Sequence, residues 1–311
     1  MAASAVLGAG ALCVAYGVCV ERRWYRLQRH RLPVLPAGAA PLTVLHLSDL
    51  HMLHRDAGKA AFLAGLPRPD VLVVTGDFLG EPEAVETVAR ALRPLRGRLA
   101  SWAVLGSNDY YAPRPLNYLW YFRRGRPRRR AVRSRTGDLL ATLEADGWEH
   151  LRNRRTTLEA GGARLEVLGL DDPHIQRHDL RAALREDPSA VGVAIVHSPD
   201  PAPELAALGY RLILTGHTHG GQVRMPFVGA LVTNGQMPTR LAMGLVRVGP
   251  ALMHVSPGLG TSKYAPFRFL CRPEATLLEL VPEDGEPVEA AVQAPEAPEA
   301  PDAAARSNTR S

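Results

Sequence analysis

The feature that most constrains this chain is a succession of short runs rich in valine, isoleucine and leucine, at residues 42–47, 71–75, 101–105, 165–168, 191–196 and 211–215. Runs of that length and composition are expected of strands buried on both faces. Between them, 84–95 and 138–146 carry apolar residues at helical spacing, so the predicted class is α/β, a sheet covered by helices. With 46% hydrophobic and 22% charged residues among 311, the chain can bury one core of ordinary size with appendages at its ends. The main domain is expected to run over 42–281.

Chemistry-bearing residues follow the runs. Asp49-Leu50-His51 follows the first, Gly76-Asp77 the second and Gly106-Ser107-Asn108-Asp109 the third, with His197 and then Gly216-His217-Thr218-His219 after later ones. In an open α/β sheet, ligand sites gather outside the carboxyl ends of strands, so five strand ends bring these residues toward one place. Only three cysteines are present, Cys13, Cys19 and Cys271, too few and scattered for a disulfide framework, so a metal site must draw on His, Asp and Asn.

A pair of divalent cations needs several nitrogen and oxygen ligands and an anionic bridge, which imidazoles and carboxylates supply for Mn, Fe, Zn or similar ions. Asp77 is the expected bridge. The i, i+2 spacing in Asp49-Leu50-His51 and His217-Thr218-His219 aims both side chains one way if the local chain is extended. Alone, each element is weak, and His46, His54, His150, His174, His178 and His254 read as structural histidines. In order, at the ends of successive strands, the set points to a metal centre.

These ordered motifs resemble the calcineurin-like metallophosphoesterase superfamily, whose pattern is Asp-X-His, Gly-Asp, Gly-Asn-His-Asp/Glu, His and Gly-His-X-His. The stretches at 47–51, 216–223 (GHTHGGQV) and 258–262 look most like its bacterial membrane-associated branch typified by YkuE and YaeI. The resemblance implies a β-sandwich of two mixed sheets flanked by helices. It implies two divalent metal ions, the first held by Asp49, His51 and His219, the second by His197 and His217, with Asp77 between them. It also implies a hydrolase that cleaves phosphoester bonds by in-line attack of activated water. The catalytic residues are expected to be Asp77, Asn108 and His217.

The departure is Gly106-Ser107-Asn108-Asp109, where an ungapped match sets Ser107 on the family's asparagine ligand and Asn108 on its histidine. A shifted loop would let the Asn108 carbonyl oxygen reach the second metal, with Ser107 as the other candidate. Asp109 orients a neighbour or caps the loop. Lacking the usual histidine, the enzyme is expected to depend on a good leaving group. The alternative is a membrane-tethered scaffold or binding protein that keeps the phosphoesterase fold without its catalysis.

Residues 1–21 hold an uncharged apolar stretch about as long as a bilayer-spanning helix and are expected to form a single-pass transmembrane anchor rather than a cleaved signal, for want of a basic leader. Arg22, Arg23, Arg26, Arg29 and Arg31 follow, which sets the catalytic body on the cytoplasmic face of the cell membrane. Residues 22–41 read as a linker. The segment 282–311 carries seven acidic residues against two arginines and reads as a disordered tail, so in a chain of net charge +6 the remainder carries +11. That basic body, with eight arginines in 123–135 after an aromatic cluster, favours phosphate groups or anionic lipid, and the substrate is read as a phosphodiester or pyrophosphate, lipid-linked or of the envelope. No nucleic-acid partner is expected, because no reading module accompanies the basic loop.

Overall fold

The computed structural model describes residues 2–115, 132–233, 235–284 and 292–293. The first sheet takes β1 (Arg26–Leu35), β2 (Leu42–Leu47), β3 (Val71–Thr75), β4 (Ala100–Val104), β5 (Glu149–His150) and β14 (Glu274–Pro282), in the order β1-β14-β2-β3-β4-β5. The second takes β6 (Arg154–Ala160), β7 (Ala163–Leu170), β8 (Val191–Val196), β9 (Tyr210–Thr215), β12 (Gly244–Val248), β13 (Ala251–Val255) and β15 (Val292–Gln293), in the order β15-β12-β13-β9-β8-β7-β6. A separate hairpin joins β10 (Arg224–Met225) to β11 (Gly229–Ala230). Both sheets are mixed: β2, β3, β4 and β5 run parallel while β14 is antiparallel to β2, and β7, β8, β9 and β13 run parallel between antiparallel β6 and β12.

The two-residue period of a strand explains the layering. Val71 and Val73 of β3 meet Val193 and Ile195 of β8 and Leu212 and Leu214 of β9 in a core between the sheets. Leu72 and Val74 face the other way, against α2 (Ala57–Ala64), α3 (Val85–Leu92) and α5 (Thr136–Ala145) through Leu63, Val88, Leu92, Leu139 and Leu143. On the far side, Ala194 and Val196 of β8 cover α6 (Ala202–Ala207) at Ala202 and Leu205. β3 and β8 are buried on both faces because helices cover both outer surfaces, and each such aliphatic side chain contributes about 1.5–3 kcal/mol. Within the sandwich, His46 Nδ1 lies 2.8 Å from His254 Nδ1 and His46 Nε2 lies 3.0 Å from Thr75 Oγ1. Burial pushes the His46 ring down to about 3, so this pair is a neutral polar element of the core.

Two terminal expectations need correction. The segment 22–41 is not a free linker: β1 occupies Arg26–Leu35 and pairs in parallel with β14. Pro33 fits because β1 is an edge strand, where a missing ladder donor is tolerated. The expected spanning segment forms α1 (Ala2–Cys19), but among the described residues no helix is long and apolar enough to cross a membrane. Its 18 residues extend about 27 Å at 1.5 Å per residue, short of a hydrocarbon core of about 30 Å, and alanine and glycine add little hydrophobicity. The last turn of α1 docks on the body, with Tyr16 edge-on to Phe269 at 6.3 Å and Gly17 accepting the Arg268 amide. Most of the arginine run at 123–135, and the tail beyond 284 apart from β15, lie outside the described residues.

Candidate metal centre

The carboxyl ends of β2, β3, β4, β8 and β9 deliver Asp49 and His51, Asp77, Asn108, His197, and His217 and His219 to one place. His51 Nε2 lies 3.5 Å from Asp77 Oδ2 and 3.2 Å from His219 Nε2. His219 Nε2 is 3.4 Å from Asp49 Oδ1, His197 Nε2 is 3.7 Å from Asp77 Oδ2, and His217 Nδ1 is 3.2 Å from His197 Nε2. Two groups have ligand atoms all within 4.8 Å of one another, Asp49 with His51 and His219, and Asp49 with Asp77 and His197. Asp49 belongs to both, while Asp77 faces His51 on one side and His197 on the other.

The local backbone differs from expectation. Asp49, His51, Asp77, His217 and His219 all have positive φ, between 40° and 68°, so neither i, i+2 pair is extended. Left-handed backbone is uncommon outside glycine, and such strain clusters at functional sites. Two glycines allow the approach: a Cβ on Gly106 would sit 2.7 Å from His197 Cε1 and Nε2, and one on Gly216 would press on Ser48 Oγ and stand 2.5 Å from Asp49 Oδ2.

Surrounding groups fix the orientation of these side chains. The Thr75 carbonyl accepts from His197 Nδ1 at 2.7 Å, which turns Nε2 toward Asp77. Ser48 Oγ and the His217 amide both donate to Asp49 Oδ2, at 2.5 and 2.9 Å. Asn108 donates to Asp77 twice, from its amide to Oδ1 at 2.8 Å and from Nδ2 to Oδ2 at 2.5 Å. Asp109 points away and accepts from the Leu79 and Gly106 amides, the capping role rather than a ligand's.

The donor set fits divalent cations. Asp49 Oδ1, His51 Nδ1, His217 Nε2 and His219 Nδ1 are buried without a hydrogen-bond partner, which a closed protein site otherwise avoids. Two pairs of imidazole nitrogens face each other at 3.2 Å, an arrangement that a shared cation relieves. Burial pushes His51 down to about 4 and His219 to about 3, keeping them neutral as ligands must be. Burial would also lower His197, but the carboxylates of Asp77, Asp49 and Asp172 override it and raise the ring to about 9. Burial pushes the Asp77 carboxyl up, but the His197 and His51 rings and the Asn108 hydrogen bonds outweigh it and hold Asp77 below the usual carboxylate range.

Two features escaped sequence reasoning. His174, read as structural, places its exposed ring 4.5 Å from that of His217, on a turn where Asp172 Oδ1 accepts the His174 amide. The signal was available, because Asp171-Asp172 follows directly on β7 and thus obeys the same strand-end rule. Arg268 is fully buried, and its guanidinium donates to the carbonyls of Pro257, Gly258, Gly260 and Cys271. The loop it grips donates to the centre's own backbone, from Leu259 N to Ser48 O and from Gly260 N to Asp49 O.

Comparison with known proteins gives a concordant result. Residues 42–221 match the family model described as calcineurin-like phosphoesterase. The chain is 26% identical to the metallophosphoesterase YkuE of Bacillus subtilis over 88% of its own length and 93% of that protein's. It is 28% identical to the phosphodiesterase YaeI of Escherichia coli, covering 84% of this chain and 90% of that one. It is also 28% identical to the UDP-2,3-diacylglucosamine pyrophosphatase LpxG of Chlamydia trachomatis, covering 81% and 87%.

Proposed function

Because the chain belongs to the calcineurin-like phosphoesterase family and is a metallophosphoesterase of the bacterial YkuE- and YaeI-like branch, we propose that it cleaves a phosphodiester or pyrophosphate bond of a lipid-linked envelope substrate at a dinuclear centre. The observation that carries this reading is the convergence of Asp49, His51, Asp77, His197, His217 and His219, with Asp49 Oδ1 buried among them without a hydrogen-bond partner. Asp49, His51 and His219 would hold one cation, and His197 and His217 the other. Asp77 lies between the two histidine groups, and Asp49 reaches both. When bound, the two cations supply Lewis acidity and a lowered pKa for coordinated water.

The chain's own residues hold that arrangement. The Thr75 carbonyl fixes the His197 tautomer, and Ser48 with the His217 amide orients Asp49. Asn108, rather than Ser107, is favoured as the loop ligand, because its side chain already contacts Asp77 and a half-turn of its amide presents the carbonyl oxygen instead. His174, on the open side of His217, can donate a hydrogen bond from its ring to a phosphate oxygen. The name of LpxG supports a pyrophosphate in an acylated, nucleotide-linked substrate. Membrane association through α1 fits such a substrate, and a relative from Bos taurus is named a transmembrane protein with a metallophosphoesterase domain.

The test is hydrolysis of bis-p-nitrophenyl phosphate by the full chain, stripped of metal and resupplied with Mn, Zn, Fe(II) or Mg, beside Asp77→Ala and His217→Ala. Metal-dependent turnover that falls by at least on the order of 10³-fold in both variants is expected. Metal binding without turnover of this ester, of monoesters or of pyrophosphates would instead favour the scaffold reading, to which the Ser107-Asn108 departure points.

A further inference from the structure

We propose that the β10–β11 hairpin is a lipid-inserting element that, with the docked end of α1, seats the metal centre on an anionic bilayer. Residues 225–232 (MPFVGALV) are apolar or small without interruption, and Phe227 at the tip is 109% exposed, Val228 69% and Leu231 51%. A run like that facing water is costly and is uncommon in a protein surface unless something covers it. The hairpin itself is regular, with Arg224 opposite Ala230 and Met225 opposite Gly229.

Its root connects it to two other features. Val223 bridges to Phe269, and the Phe269 amide and carbonyl bond to Gln222 O and Arg224 N at 3.0 and 2.9 Å. The same Phe269 meets Tyr16 of α1 at 6.3 Å, so the apolar helix and the apolar hairpin spring from one point. Leu12, on α1, is 73% exposed, and Leu270, beside Phe269, is 48% exposed. On the other side, Arg224 Nη1 donates to the carbonyl of Gly220, the residue after His219. The hairpin is thus held by the loop that carries a metal ligand.

Charge selects the occupant. Arg22 and Arg23 follow α1, Arg224 stands at the hairpin base, and the Arg272 guanidinium lies 4.0 Å over the ring of exposed Trp24. Glu21 is the acidic residue between α1 and these arginines, and it is buried with its carboxylate accepting the Leu270 and Cys271 amides. Apolar side chains rimmed by arginine and tryptophan match the boundary between acyl chains and anionic headgroups. A second copy of this chain would meet the same arginines with arginines. The insertion needs no turnover, so it stands or falls separately from the reaction proposed above.

The experiment uses the full chain with Cys13→Ser and Cys19→Ser, leaving Cys271 buried, and an environment-sensitive fluorophore on Phe227→Cys or, as control, on Glu159→Cys at the edge strand β6. Vesicles are phosphatidylcholine with or without phosphatidylglycerol, and aqueous iodide reports accessibility. The expected result is a blue shift and at least fivefold protection at 227 but not at 159, greater with phosphatidylglycerol. Three results would overturn the proposal: protein bound to vesicles with the 227 label as open to iodide as in buffer, protein that does not bind vesicles at all, or a label shielded without vesicles in a species of twice the monomer mass.

Discussion

Replacing Gly106 by alanine should disable the centre without touching a ligand. Gly106 has φ −109° and ψ 176°, an extended conformation that alanine adopts freely, so the substitution carries no backbone penalty. The added methyl would stand 2.7 Å from Cε1 and Nε2 of His197, about 0.7 Å inside ordinary contact, and closer still to Asp77 Oδ1. Both neighbours must retreat, and both are fully buried and hydrogen-bonded, to the Thr75 carbonyl and to Asn108. Misplacement on the scale of 1 Å costs about 10²-fold in rate, and overpacking of this kind costs about 1–3 kcal/mol in stability. A chain of this size then loses several degrees of Tm, at about 2–4 °C per kcal/mol. The assay pairs kcat on bis-p-nitrophenyl phosphate at saturating metal with a thermal melt. Gly58→Ala, on α2 where a Cβ meets nothing within 4 Å, serves as the control that keeps full activity. A folded Gly106→Ala enzyme with kcat within threefold of the parent would refute the argument.

Three further outcomes can be measured. Burial would raise Glu81, but the His54 amide and ring and Lys263 Nζ outweigh it and hold it down to about 2 against an ordinary 4.5. A depressed carboxyl stabilises fully above pH 4.5 and loses that contribution as pH falls toward 2, so Glu81→Gln should flatten the unfolding free energy across that window by about 1 kcal/mol after solvent screening; unchanged curvature would count against the assignment. Arg268→Met strands the Pro257, Gly258 and Gly260 carbonyls that now share one guanidinium, and a loss of at least about 3 kcal/mol in denaturant unfolding is expected, with a value under about 1 kcal/mol refuting the view that Arg268 holds this loop. With Asn108 where the family pattern has histidine, aryl phosphodiesters should outpace alkyl ones by on the order of 10²-fold beyond their intrinsic difference, and comparable kcat values would show that another group protonates the leaving oxygen.

Much of the architecture could be read directly from residue order. The runs at 42–47, 71–75 and 191–196 coincide with β2, β3 and β8, because strands buried on both faces are continuous aliphatic segments bounded by turns. β1 escaped for the opposite reason. It is an edge strand whose first half carries Arg26, Arg29 and Arg31 and whose second half contains Pro33, and its partner β14 lies some 250 residues away. The six ligand-type residues were legible as an ordered set at strand ends, yet the left-handed backbone at five of them was not, since φ at Asp or His follows from tertiary hydrogen bonds such as Asp49 N to Gly76 O. His174 was discounted because Asp171-Asp172-Pro173-His174 reads as a surface turn, although the run at 165–168 already set a strand end beside it. The length of α1 was legible, but not that its final turn would be spent against Phe267 and Phe269.

The order β1-β14-β2 has a consequence for how the chain comes into being. The last long strand is inserted between the first two, so a nascent polypeptide carries Asp49 and Asp77 well before the slot beside β2 can be filled. Until residue 282 clears the exit tunnel, the first sheet is split and β1 has no neighbour to hold it, while Arg268 is also late to arrive at the carbonyls of the 257–260 loop. Synthesis from the amino end therefore delays the assembly of the first sheet, which carries Asp49 and Asp77, until β14 has been made. Cation binding is thus predicted to follow the synthesis of β14, and a chain cut before Glu274 should fail to bind metal in a titration that the full chain passes.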